Sequence, residues 1–225
     1  MYPENLLAHN WLAKKLINRF VAGRLPSLRG IVIDLGCGTR PFERDILRYA
    51  DHYMGVDWAN SMHGLKADVL ANLNMPLPLA DDVADHVISL EVMEHLSEPD
   101  VMLAEAFRVL RRGGELTIST PFQWWIHEAP WDFQRFTRFG LEHHLTKAGF
   151  TDIIVRPTSG FWAMWVLKFN YQLHRLVRGP RLMRTVVRAI LSPFWLTNQI
   201  IALNLDHVWP EDRETVGYFT IARKP

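Results

Sequence analysis

Ile31-Val32-Ile33-Asp34-Leu35 is an apolar, β-branched run holding one carboxylate, and it leads without a spacer into Gly36-Cys37-Gly38. A strand that is wet on one face alternates polar and apolar residues. A strand apolar on both faces belongs to a sheet covered on both sides, which means a mainly parallel sheet with helices packed against it. Two glycines directly after such a strand allow a tight turn and let the backbone approach a ligand that a Cβ would block. The fold class expected is therefore α/β, with a ligand held where the strands end.

The rest of the chain extends this pattern. Further strands are expected at 52–57, ending on Asp57, at a short segment ending at Asp68, and at 85–90, 115–120, 153–155 and 218–222. Helices are expected over 4–22, from Pro41 to about residue 50, from Ser97 to Leu110 and from Thr137 to Gly149. Ser97 is the expected cap of the third, with Pro99 and Asp100 in its first turn. Arg111 and Arg112 suit its C-terminal end, and Gly113-Gly114 would stop it. Strands alternating with helices predict a doubly wound, seven-stranded, mainly parallel sheet in one domain over 1–225. Its parts are an N-terminal helix (4–22), a ligand-binding core (28–156), a helical insertion (157–215) and a last strand (216–223).

Composition narrows the setting. The formal charge of +1 over 225 residues supplies no global field for nucleic acid. Cys37 is the single cysteine, so no intrachain disulfide can form. The N-terminus lacks the basic start and uninterrupted apolar run of a signal peptide, and no apolar stretch reaches the roughly 18 residues of a spanning helix. The expected location is cytoplasmic, with attachment to the inner face of the membrane left open.

A glycine pair followed about 20 residues later by an acid, here Asp57, is the outline of a nucleoside site, since a carboxylate can bind both ribose hydroxyls. A nicotinamide site would continue with a third glycine, and Pro41 stands in its place. That disfavours an NAD-dependent oxidoreductase, which stays as a lesser alternative.

Five segments in order then carry a specific resemblance: 31–39, Gly55-Val56-Asp57, Ala67-Asp68, 77–96 and 105–114. Together they resemble the motifs of class I S-adenosylmethionine-dependent methyltransferases of the small-molecule, type 11-like subfamily, across roughly residues 28–156. The resemblance implies S-adenosylmethionine as cofactor and S-adenosylhomocysteine as product. It implies cofactor contacts from Asp34, Gly36, Cys37, Gly38, Asp57, Trp58, Asp68, Val69, Leu90 and Glu91. Among these, Asp57 would hold the ribose, Trp58 would lie against adenine, Asp68 would read its amino group, and Leu90 and Glu91 would line the methionine side. Cys37 reads as a small spacer between glycines more readily than as a nucleophile. A methyltransferase-like module that binds without turnover is the alternative function.

The segment after the fifth strand, 121–137, leaves the sheet at the ligand edge and resembles a His-Glu-aromatic-Asp-aromatic-Arg-aromatic-Thr pattern of bacterial methyltransferases. Trp124, Trp125, Glu128, Trp131 and Arg135, with His95 from the fourth-strand motif, are the candidate substrate contacts. The competing reading of His95, and the favoured one, is a helix-start histidine packed on the strand end. The same segment can instead be a lid held by an internal Asp132–Arg135 pair and a His127 hydrogen bond. His127 is the candidate base for an acceptor that must lose a proton. A metal at His127 and Glu128 is set aside, because no third ligand has convincing spacing.

Between Asp152 and Asp206 the chain has no acid, while Arg175, Arg178, Arg181, Arg184 and Arg188 are all basic. On a helix, Arg181, Arg184 and Arg188 share one face, and Leu182, Met183, Val186, Val187 and Ile190 share the opposite one. With its aromatics, 160–205 fits an amphipathic segment on an anionic membrane surface. The alternative is a cap on the domain or a homodimer face; nucleic acid is disfavoured for want of a recognition motif. The acceptor expected is small or lipid-linked.

Overall fold

The computed structural model describes residues 1–59 and 64–225. The chain divides into two compact units: one holds Met1, 22–156 and 217–225, and the other holds 2–21 and 157–216. The expectation of one domain over 1–225 thus meets a chain whose middle and end return to the same unit.

The first unit is the sheet. Its strands are β1 (Ile31–Leu35), β2 (His52–Asp57), β3 (Val69–Leu70), β4 (Ala84–Leu90), β5 (Leu110–Pro121), β6 (Thr151–Pro157) and β7 (Gly217–Arg223). Among the described residues they form one seven-stranded sheet in the order β3-β2-β1-β4-β5-β7-β6. β1 lies parallel between β2 and β4, and β7 runs antiparallel to β5. The expected doubly wound sheet with a helical insertion before the last strand is therefore present. Strand order reverses between β1 and β4, the kind of point beside which sheets of this class hold a ligand.

The apolar run explains β1's position. Val32, Ile33 and Leu35 are wholly buried, as are Val87 on β4 and Ile118 on β5. Helix α3 (Pro99–Val109) buries Met102, Leu103, Ala106 and Val109, and α4 (Arg138–Lys147) buries Leu141 and Leu145. Each such aliphatic side chain contributes about 1.5–3 kcal/mol by leaving water. Thr137 caps α4 as expected, its side chain accepting from the Gly140 N–H at 3.1 Å.

Several local expectations are corrected. The N-terminal helix α1 spans Trp11–Arg24, not 4–22, because Asn5 and Asn18 bind nearby backbone and hold the preceding residues in turns. The helix after Pro41 shrinks to α2 (Glu43–Ile46), since the bonds on either side of it are i to i+3. β3 starts after Asp68 rather than ending there. Ser97 does not cap α3; Asn74 serves that end, accepting from the Glu98 N–H at 2.9 Å and from the Ser97 hydroxyl. Arg111 and Arg112 lie in β5, not in the last helical turn. Arg111 pairs with Asp85 at 3.0 Å, and the β4–β5 register shifts between Ala84 and His86.

In the second unit, α5 (Phe161–Leu176) packs with α6 (Arg181–Val208). The Asp206 carboxylate on α6 accepts from the N–H groups of Gly160, Trp162 and Ala163 at 3.0, 2.9 and 3.2 Å, closing the positive end of α5. Gln199 is fully buried and bonds the Leu12 N–H and the Ala8 carbonyl, and Asn170 and Asn198 pair reciprocally. The earlier half of α6 differs. Leu182 and Ile190 are 77% and 71% exposed, and Met183 and Val186 are exposed too. By length and composition α6 could cross a membrane, which corrects the expectation that nothing is long and apolar enough. Ser192, Thr197, Asn198 and Gln199 interrupt the run in the sequence without adding charge.

Candidate active site

Beyond the strand ends lies a cavity of about 440 Å³. Its wall is built from the turn after β1 (Gly36, Gly38), the end of β2 (Asp57, Trp58), the turn at 72–74, the segment after β4 (Glu91, Val92, His95, Leu96, Ser97) and the loop after β5 (Glu128, Trp131, Phe133).

The two glycines are needed for different reasons. Gly36 has φ +81°, and a Cβ there would lie 2.3 Å from Val92 Cγ2, so it is close packing inside the protein that requires glycine. Gly38 has φ +51°, and its Cβ would meet nothing within 4 Å among the described residues. Only the second leaves room on the cavity wall. The turn is tied to β2 twice: Gly36 N–H donates to the Val56 carbonyl at 2.8 Å, and Gly38 N–H donates to Asp57 Oδ2 at 2.7 Å. Asp57 Oδ1 accepts from the Trp58 N–H at 2.7 Å. Trp58 meets Trp131 edge to face, with ring centroids 5.1 Å apart.

Asp34 lies behind this wall. The Tyr53 hydroxyl donates to its Oδ2 at 2.5 Å; burial nonetheless pushes the carboxyl up to about 6. Cys37 is buried, and burial with Asp34 and Asp57 nearby pushes its thiol up to about 12, which removes it as a nucleophile at neutral pH. Asp68 accepts from the Gly55 N–H at 2.9 Å and pairs with Arg40 at 2.6 Å. Asp68, Val69 and Leu90 are not among the residues lining the cavity.

The loop after β5 combines the two roles expected of it. Arg135 grips Asp132 with both terminal nitrogens, at 2.5 and 2.8 Å, and also donates to the carbonyls of Gln134 and Trp125. Asp132 is almost wholly buried and also accepts from the His127 N–H at 2.8 Å; the Arg135 bonds hold its carboxyl down at about 2. Trp124 and Trp125 stack on each other at 4.0 Å rather than lining the cavity. Glu128 and Trp131 do line it, and both Glu91 and Glu128 have positive φ, 55° and 54°. Strained non-glycine residues of this kind cluster where function over-determines the backbone.

His95 lines the cavity and His127 stands beside it, with ring centroids 4.9 Å apart. Burial lowers the His127 pKa below its ordinary value, so the ring is neutral at pH 7. Glu94 lies below both rings, fully buried, and burial followed by the neighbouring Glu91 raises its carboxyl well above the usual range. Glu94, Tyr53, Asn72, Asn74 and Phe133 were not singled out by sequence. For Glu94 a signal existed, an acid immediately before His95 in the segment after β4.

Comparison with known proteins follows the same outline. A family model described as "Methyltransferase domain" matches residues 33–118. A ubiquinone biosynthesis O-methyltransferase of Maricaulis maris is 25% identical over 86% of this chain and 71% of its own length. A malonyl-[acyl-carrier protein] O-methyltransferase of Hahella chejuensis is 36% identical over 40% of this chain, which spans only 36% of that protein. Phosphoethanolamine N-methyltransferase 2 of Haemonchus contortus, solved with S-adenosyl-L-methionine, superposes with a TM-score of 0.61 at 14% identity over 98% of this chain and 56% of its own. The [4+2]-cyclase SpnF superposes equally well, TM-score 0.61 at 18% identity over 96% of this chain and 83% of its own. The fold is shared with the two solved structures.

Proposed function

We infer the chemistry from the family: this chain is a class I methyltransferase that uses S-adenosylmethionine. The residues present fit that cofactor. Gly38 offers an open stretch of backbone on the wall of a nucleoside-sized cavity, and Asp57 and Trp58 stand next to it. Asp57 keeps further lone pairs for ribose hydroxyls, while its bonds to the Gly38 and Trp58 N–H groups fix it in place. Trp58 offers its ring to adenine, and Glu91 and Val92 flank the methionine end. Asp34 and Asp68 act one layer back: Asp34 through Tyr53, and Asp68 by holding Gly55 and Arg40 around the turn.

The cofactor supplies a methyl group already activated on a sulfonium. The protein's contribution is to hold an acceptor in line with it and to exclude water, and positioning of this kind is worth about 7–11 kcal/mol. Trp131, Glu128 and His95 form the acceptor side. Neutral His127, its Nδ1 turned toward Asp132 and the Trp125 carbonyl at 3.3 Å each, is the group for taking an acceptor proton. Such a base adds about 10²–10⁴ in rate.

The acceptor in this reading is small or lipid-linked. Relatives named for ubiquinone biosynthesis and for a carrier-bound malonyl group support that class. The exposed apolar residues of α6, alongside Arg181, Arg184 and Arg188, support action at the inner face of an anionic membrane by a cytoplasmic protein. The buried Gln199 and the Asn170–Asn198 pair tie the other half of α6 to its own unit, which favours surface attachment over spanning. A homodimer face is the competing use of the same residues.

The single observation that carries the cofactor assignment is the Asp57–Gly38 hydrogen bond on the cavity wall. Calorimetric titration with S-adenosylmethionine, S-adenosylhomocysteine and NAD tests it. Binding of the first two, lost in Asp57→Ala, is expected; binding of NAD alone would overturn it. Turnover with a lipid-linked acceptor separates the enzyme from a binding module.

A further inference from the structure

Glu94, His95 and His127 come from two separate stretches of chain, yet each brings one ligand-type atom within 4.8 Å of the other two. Glu94 is 0% exposed and, among the described residues, neither carboxylate oxygen has a hydrogen-bond partner; the cationic candidate His95 Nε2 stands 3.7 Å away. A buried, unpaired carboxylate is among the least favourable groups a fold can retain, and it is resolved by taking up a proton, by a paired charge or by a metal ion. Three other buried carboxylates at this end of the sheet are satisfied: Asp34 by Tyr53, Asp57 by two N–H groups, Asp132 by Arg135.

The two rings are also held as ligands are held. His95 Nδ1 lies 2.8 Å from the Trp131 carbonyl, and His127 Nδ1 lies 3.3 Å from both the Trp125 carbonyl and Asp132 Oδ2. Those acceptors keep the proton on Nδ1 and leave the lone pair on Nε2. Orientation of a metal-binding imidazole by a carbonyl or carboxylate on its other nitrogen is the usual outer-shell arrangement. Arg135 then anchors Asp132 behind His127.

We propose that Glu94, His95 and His127 bind a divalent first-row transition cation at the edge of the methyltransferase cavity. Two imidazoles and one carboxylate suit zinc, iron, cobalt, nickel or manganese better than calcium or magnesium. Three protein ligands leave coordination positions unfilled, and His95 and Glu128, whose carboxylate is 3.9 Å from His95 Nε2, line the cavity itself. The consequence for catalysis rests on the methyltransferase reading. An acceptor hydroxyl ligated at an open position would lose its proton to water more readily and be fixed for transfer. His127 would then act as a ligand, with the ion taking over the work assigned to a base.

The experiment uses the full chain after EDTA treatment, titrated with Zn²⁺ by calorimetry and with Co²⁺ by visible absorption. One Zn²⁺ per chain is expected, with Kd raised at least tenfold by Glu94→Gln, which keeps side-chain shape, and by His127→Ala. Asp57→Ala should bind Zn²⁺ as the unaltered chain does while losing S-adenosylhomocysteine, so failure of the cofactor reading and failure of the metal site are told apart. The Co²⁺ spectrum of the unaltered chain reads imidazole ligation without any substitution, should the variants not fold. No Zn²⁺ uptake, uptake equal in Glu94→Gln, His127→Ala and the unaltered chain, or a Co²⁺ spectrum like that of the aqueous ion would each overturn the proposal.

Discussion

Asp57 Oδ2 accepts a 2.7 Å hydrogen bond from the backbone N–H of Gly38, so the end of β2 and the turn after β1 form one rigid wall. Removing the acceptor strands two N–H groups. Asp57→Ala should lower stability by about 1–3 kcal/mol in urea unfolding. It should also weaken S-adenosylhomocysteine binding at least tenfold by calorimetry. A variant that binds normally would show that the carboxylate serves the turn alone.

Asp132 gives an acid-side prediction. Its folded pKa, about 2, lies below the ordinary carboxylate value, so its contribution is complete above about pH 4 and is lost as pH falls through about 2. The difference amounts to about 2 kcal/mol. Asp132→Asn should be less stable than the unaltered chain at pH 7, and the gap should close toward pH 2 in denaturant titrations.

Asp34 has the opposite sign. Its folded pKa of about 6 exceeds the ordinary value, so the folded state holds the proton longer and stability falls as pH rises from about 4 to 6. Asp34→Asn should remove that decline. Tyr53→Phe, which takes away the hydroxyl that bonds Asp34, should steepen it and carry it to higher pH. Unfolding free energies at pH 4, 5 and 7 decide.

Asp206 receives three N–H groups at the start of α5. Asp206→Ala should cost about 2 kcal/mol, near the upper end for losing a cap. Hydrogen exchange should rise first at residues 160–163. Uniform exchange along α5 would count against a local capping role.

Membrane attachment predicts that the chain partitions onto vesicles containing anionic lipid and is released by salt. Leu182→Asp with Ile190→Asp should abolish partitioning while leaving the thermal melt unchanged, since both residues are exposed. Absence of partitioning in the unaltered chain, with a dimer seen by sedimentation, would assign the apolar residues to a second copy.

What the sequence disclosed followed the reach of each interaction. The apolar run 31–35 and the strand-helix alternation depend on local burial, and they led to the sheet and its insertion. Asp57, Gly38, Trp58 and Glu91 were legible because they sit at strand ends, where topology alone fixes position. Ser97 was misread because its competitor, Asn74, approaches from another turn. Trp124 and Trp125 were expected at the cavity but stack on each other, a choice that composition cannot reveal. Glu94 is distant from His127 in sequence, and its burial close to that ring is a property of the folded sheet.

The antiparallel strand β7 pairs with β5 from Glu115 to Pro121, yet it is made more than ninety residues later. During synthesis the inner edge of β5 must stay without its neighbour while the whole 157–216 excursion emerges. Open strand edges invite association with other chains. The helices of the excursion, which can form locally, would be complete before the sheet is closed. A nascent chain stalled before residue 217 would therefore hold helix α6 already wound while the sheet still lacks one of its inner strands.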